Sequence, residues 1–223
     1  MFLFILIFIA SSAVSWILKS KLEKYSRTAL QSNLSGQEVA QMMLRDNGIF
    51  DVKVISTDGQ LTDHYNPGDK TVNLSNEIFY GRNAAAVAVA AHEVGHAVQH
   101  AEAYAWLGFR SAMVPMLNFT SRFMSIILLA GILLLEYTAL PLTIGVGLFA
   151  LTTVFSFITL PVEFDASARG LKYISSRGIV TAEEHSLSKN ALHWAAMTYV
   201  VAALGSLATL LYYASLLMGR RSD

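Results

Sequence analysis

Four stretches of the chain are apolar over lengths that approach or exceed the roughly 18–20 residues a helix needs to cross about 30 Å of hydrocarbon. They are Met1–Leu18, Phe123–Leu140, Leu142–Leu160 and Ala191–Met218, and each predicts a transmembrane helix. The first has no Lys or Arg before its apolar run and no clear small-x-small cleavage site, so it reads as a retained anchor and not as a removed signal peptide. The second and third meet at Glu136–Pro141, a joint too short to house a domain. They therefore form a hairpin that leaves one face of the membrane and returns to it. This divides the chain into an anchor (1–18), a polar segment (19–122), a transmembrane hairpin (123–160), a second polar segment (161–190) and a last span (191–218).

The first polar segment carries the pattern of a small α+β unit. Ser35-Gly36-Gln37-Glu38 fits a capping box, and Val39, Met42 and Met43 then repeat at helical spacing until Asn47-Gly48, where a glycine tolerates a left-handed terminus. Asp51–Ser56 alternates apolar and polar residues, Asp58-Gly59 and Asn66-Pro67-Gly68 mark turns, and Thr71–Leu74 is a second short strand. Were Thr71–Leu74 an exposed edge, a peptide could bind by adding its backbone to it. From Asn83, a plausible helix cap, to Tyr104 the sequence is Ala-rich with no proline, which predicts a long helix.

Composition supports the bilayer as solvent. Hydrophobic residues make up 54% and charged residues 14% of the 223, against roughly 45–50% and 25% in ordinary globular domains. The formal net charge is zero and no basic run interleaves with aromatics, so nothing here suits nucleic acid. There is no cysteine, which excludes disulfides, thiolate catalysis and sulfur-ligated metal together. Any metal must be held by His, Asp or Glu.

The predicted Ala-rich helix contains His92-Glu93-Val94-Gly95-His96. Residues four apart stand on one helical face, so His92 and His96 can offer two imidazole nitrogens to a single zinc ion, and Glu93 is angled to reach a metal-bound water as general base. Its small apolar neighbours Ala90, Ala91 and Ala97 suit an interior helix, where ionisable groups are costly unless paired or metal-bound. His100 continues the face, but it stands about 6 Å along the axis from His96 and about 12 Å from His92, too far to share the ion. It reads as a supporting or surface residue.

A catalytic zinc usually takes three protein ligands. Glu163, directly after the third span, is the best candidate for the third, because the hairpin returns the chain to the side where His92 and His96 lie; Asp165 and His185 are rivals. Pro161 suits the first turn of a new helix that would present Glu163 near its start. The oxyanion of a hydrolytic intermediate also needs a donor, for which His185, Tyr173, Arg169 and His193 are available. Orientation follows from Lys and Arg, which crowd both polar segments (Lys19, Lys21, Lys24 and Arg27; Arg169, Lys172 and Arg177) and are absent from the Glu136–Pro141 turn. This places the polar segments on the cytoplasmic side of a cell membrane, although Arg220 and Arg221 argue against an external C-terminus.

Together, Leu61-Thr62-Asp63-His64-Tyr65-Asn66-Pro67, the helix Ala91–His100 and Leu160-Pro161-Val162-Glu163-Phe164-Asp165-Ala166-Ser167 resemble the YugP family of bacterial membrane proteins, classed as neutral zinc metallopeptidases. The likeness covers nearly the whole chain. It implies a mainly α membrane protein with four transmembrane helices and a small zincin-like α+β catalytic unit, distantly related to HtpX-like membrane peptidases. It also implies Glu163 as the third zinc ligand beside His92 and His96; the expected partner of such a site is a peptide or membrane-protein substrate. In many glutamate zincins an Asp four residues after the ligand Glu orients a zinc-bound His; here Ser167 holds that place, and Asp165 on a regular helix points elsewhere. Two other readings remain: a zinc-stabilised membrane scaffold without turnover, against which Glu93 speaks, and a transporter or channel, which the nearly charge-free spans disfavour, His193 being the exception.

Overall fold

A computed structural model of the protein describes residues 2–220. Met1 of the first expected span and Arg221 of the orientation argument lie outside the described residues. Among the described residues there are seven α-helices: α1 (Phe2–Ser26), α2 (Gly36–Asp46), α3 (Asn76–Phe79), α4 (Ala84–Ala101), α5 (Ala105–Leu133), α6 (Leu140–Ser176) and α7 (Ala182–Arg220). Three strands, β1 (Lys53–Thr57), β2 (His64–Asn66) and β3 (Thr71–Ser75), form one sheet.

Helices α1, α5, α6 and α7 are long and apolar enough to cross a membrane. They pack as neighbours, α5 on α6, α6 on α7 and α7 on α1, and turn Phe8, Trp16, Phe119 and Leu133 outward. Such exposed apolar surface is stable only against lipid or another apolar partner. α5 is the least uniform of the four, with Pro115 inside it and Arg122 on its exposed side.

α1, α6 and α7 outrun their apolar stretches, whereas the second span, expected over Phe123–Leu140, is the helix Ala105–Leu133, and the hairpin turn falls at 134–139 inside the expected stretch. α6 has 37 residues, about 55 Å of helix, and carries straight from the membrane into the polar unit. Pro161 was expected to open a new helix but lies inside α6. A proline there removes one backbone hydrogen bond, and the packing of α6 against α4, α5 and α7 holds the helix through it. Glu163 is thereby rigidly coupled to the third span.

The capping box is formed: Ser35 accepts from the Glu38 N–H, and Glu38 reaches back to the Ser35 N–H at 2.7 Å. Asn83 caps α4 by accepting from the Ala86 N–H at 2.9 Å. In the sheet β3 is central, parallel to β1 and antiparallel to β2. Thr71–Leu74 therefore cannot take a peptide as an added strand, because both of its edges are already hydrogen-bonded. β2 and β1 hold the free edges.

The core of the polar unit lies between α2, the sheet, α4 and the last turns of α6. Val39 and Met43 of α2, Val72 and Leu74 of β3, Val87, Ala90 and Val94 of α4 and Ile174 of α6 are buried together. α4 is covered on nearly all sides, which explains its alanine-rich sequence: small side chains let α2, α6 and α7 approach it closely.

Candidate metal centre

Two glycines bring α4 and α6 together. A Cβ built at Gly95 would lie 2.5 Å from the Ala166 carbonyl oxygen, and one at Gly170 would lie 2.9 Å from the Ala91 carbonyl carbon and oxygen. Any larger residue at either place would force the backbones apart. At this crossing Glu163 and Ser167 of α6 meet His92 and His96 of α4.

Donor atoms of His92, His96 and Glu163 all lie within 4.8 Å of one another. Glu163 Oε2 is 3.4 Å from His92 Nε2 and 3.6 Å from His96 Nε2. The carboxylate is 2% exposed, yet neither of its oxygens takes a hydrogen bond. A buried carboxylate that takes no hydrogen bond and is met only by ion-pair contacts is costly, and one facing two imidazole nitrogens has the chemistry of a three-ligand set for a divalent cation. Burial by itself would push the His96 imidazole down, but the carboxylates of Glu163 and Glu93 outweigh it and hold it above its ordinary value. The site favours positive charge.

The far side of each imidazole is also held. His92 Nδ1 lies 3.0 Å from Ser167 Oγ. Ser167 stands four residues after Glu163 on the same helical face, and its hydroxyl can accept the His92 N–H. His96 Nδ1 lies 3.0 Å from Gln99 Oε1, while Gln99 Nε2 donates to the Val162 carbonyl and to Asp165 Oδ2, both at 2.8 Å. Two acceptors claim the amide NH₂, so the amide oxygen must accept from His96 Nδ1–H, which leaves the Nε2 lone pair facing Glu163. Asp165, expected to point elsewhere, is in this chain and is held by Arg169 Nε at 2.5 Å. It supports His96 through Gln99. Glu102 anchors the other end of Arg169 at 2.6 Å.

His92, Glu93, Glu163 and Ser167 open onto one cavity of about 730 Å³. Its walls also include Asp63 and Ser75 from the sheet, Leu22 from α1 and Tyr199 from α7. Asp63 accepts from the Ser75 N–H at 2.7 Å. Its carboxyl is pushed up by burial, and also by the nearby charge of Glu93.

None of the four residues considered as oxyanion donors lines this cavity. Tyr173 donates to Asp46 Oδ2 at 2.5 Å, and Arg169 is committed to Asp165 and Glu102. His193 is exposed with its ring against Trp194, and His185 sits in the first turn of α7, outside the ligand cluster that Glu163 completes. Two residues that sequence reasoning passed over are present instead. Arg110 of α5 pairs with Glu163 Oε1 at 3.3 Å, and Tyr199 lines the cavity in the field of both Glu163 and Glu93. No local pattern marks either. Gln99, by contrast, stands three residues after His96 and could have been found by helical spacing. His100 is turned to Tyr65, whose hydroxyl lies 2.8 Å from its Nδ1, and so ties β2 to α4.

Comparison with known proteins extends this picture. A family model described as "Putative neutral zinc metallopeptidase" matches residues 1–218. The chain is 41% identical over 225 residues, 99% of each chain, to the "Putative membrane protease YugP" of Bacillus subtilis (strain 168). No solved structure matches it.

Proposed function

The chain belongs to this zinc metallopeptidase family, and on that premise we propose that it is a membrane-embedded zincin-like endopeptidase with His92, His96 and Glu163 as zinc ligands and Glu93 as general base. The buried Glu163 carboxylate, free of hydrogen bonds and aimed through Oε2 at the two Nε2 atoms, carries this reading.

Zinc bound there would bring the pKa of its water toward about 7 and polarise the substrate carbonyl. The protein's own groups supply the rest. Glu93, on the cavity wall beside His92, takes the proton of the attacking water and returns it to the leaving amine. Tyr199 offers its phenolic O–H to the oxyanion, a role that needs a donor fixed before charge develops. Arg110 holds Oε1 of Glu163 and so turns Oε2 toward the histidines. Ser167 and Gln99 keep both imidazoles in the tautomer that presents Nε2.

The test is metal content and peptide cleavage of the purified protein beside Glu93→Gln. The variant should keep its zinc and lose about 10²–10⁴-fold in rate, the range of a missing general base. Equal activity in both proteins would end the peptidase reading.

A further inference from the structure

The cavity has two chemically different ends, and three helices fix its depth. In α1 the apolar run ends at Leu18 and charge begins at Lys19, and both residues line the cavity. In α6, Leu140–Leu160 covers about 30 Å, the thickness of the hydrocarbon, and Glu163 follows within one turn. In α7 the apolar run begins at Ala191, and about 30 Å of hydrocarbon counted back from Met218 reaches Tyr199, which lines the cavity. By these boundaries the candidate metal centre stands near the water-facing ends of the apolar runs of α1, α6 and α7.

Leu22, Val89, Ala195 and Ala196 form the apolar wall on the membrane helices and α4, while Gln60, Asp63, Ser75 and Glu77 form the polar end on the sheet side. Asp63 and Glu77 add carboxylates at the sheet-side end, while on α1 Glu23 is paired with Arg27 and stands near the ammonium of Lys19. A chain lying across His92 and Glu93 would thus place apolar residues on one side and meet negative charge on the other.

From this we infer that the substrate is a membrane-anchored polypeptide, cut in the first few residues beyond its apolar segment where that stretch carries Lys or Arg. The inference rests on the peptidase reading. An extended chain gains about 3.3 Å per residue, so a bond only a few residues past a transmembrane helix is still level with the site. Juxtamembrane segments on the cytoplasmic side are enriched in Lys and Arg, which matches the acidic end of the cavity.

The full-length protein in liposomes should be given single-span substrates with one scissile sequence placed about 3 or about 20 residues beyond the span, and the same sequence as a free peptide. The near placement should be cut at least about tenfold faster, by kcat/KM, than the other two, and replacing its flanking Lys by Glu should remove most of that advantage. Equal rates for all three, or indifference to the charge change, would overturn the inference while leaving the peptidase reading intact. Depth is read without turnover: because the chain has no cysteine, a fluorophore on Val89→Cys reports the cavity alone. Nitroxide lipids labelled at the headgroup should quench it more than aqueous iodide does; quenching by iodide alone would overturn the inference even if no substrate were cleaved. Loss of cleavage of every substrate with zinc fully bound would count against the peptidase reading itself.

Discussion

Gly95 of α4 lies against the carbonyl of Ala166 in α6 so closely that a Cβ added to it would sit 2.5 Å from the oxygen. The glycine inside the histidine motif is therefore what lets Glu163 reach His92 and His96. Gly95→Ala should push the helices apart at a typical overpacking cost of about 1–3 kcal/mol, and the displaced Glu163 should weaken zinc binding. Thermal unfolding in detergent and chelator competition read the two effects; a variant with unchanged metal affinity would show that the crossing does not set the site.

Ser167 holds the far nitrogen of His92. Partners of this kind are worth roughly 10–100-fold in metal affinity, so Ser167→Ala should lower zinc affinity by about that factor. Ser167→Asp should retain it, since a carboxylate can accept the same N–H. Competition with a calibrated chelator separates these outcomes.

Gln99 is fully buried and joins His96, the Val162 carbonyl and Asp165. Gln99→Leu keeps similar volume but leaves three polar groups without their partner, each costing about 1–3 kcal/mol. A lowered Tm together with weaker zinc binding is expected. A drop in Tm alone would mean that Gln99 supports the fold and not His96.

Tyr199→Phe removes only a hydroxyl from the cavity wall. If that hydroxyl meets the oxyanion, kcat should fall by about 10²-fold, the scale set by loss of a single oxyanion donor, with KM and zinc content nearly unchanged. Steady-state kinetics on any cleaved peptide decide it, and a change confined to KM would assign Tyr199 to binding.

Zinc should also stabilise the fold. A ligand present at about 1,000 times its dissociation constant contributes about 4 kcal/mol, so adding zinc to the metal-free protein should raise its Tm, whereas Glu163→Gln should show little rise. An equal rise in the variant would place the metal elsewhere.

What the sequence determined by itself was local. The four apolar runs, the caps at Ser35 and Asn83, and the shared face of His92 and His96 follow from neighbouring residues and the helical repeat, which need no knowledge of packing. Glu163 was within reach because a two-span hairpin must return the chain to its starting side. The tertiary structure decided what depends on distances between elements. Pro161 reads as a helix start, yet contacts on three sides carry α6 through it. Thr71–Leu74 reads as a strand, but only pairing on both sides made it central. Tyr199 and Arg110 look like an interfacial aromatic and a topology charge until α5, α6 and α7 converge on Glu163. Composition can state which residues are able to donate, accept or ligate. Which of them meet is set by how closely the backbones pass, and in this protein that closeness comes from Gly95 and Gly170.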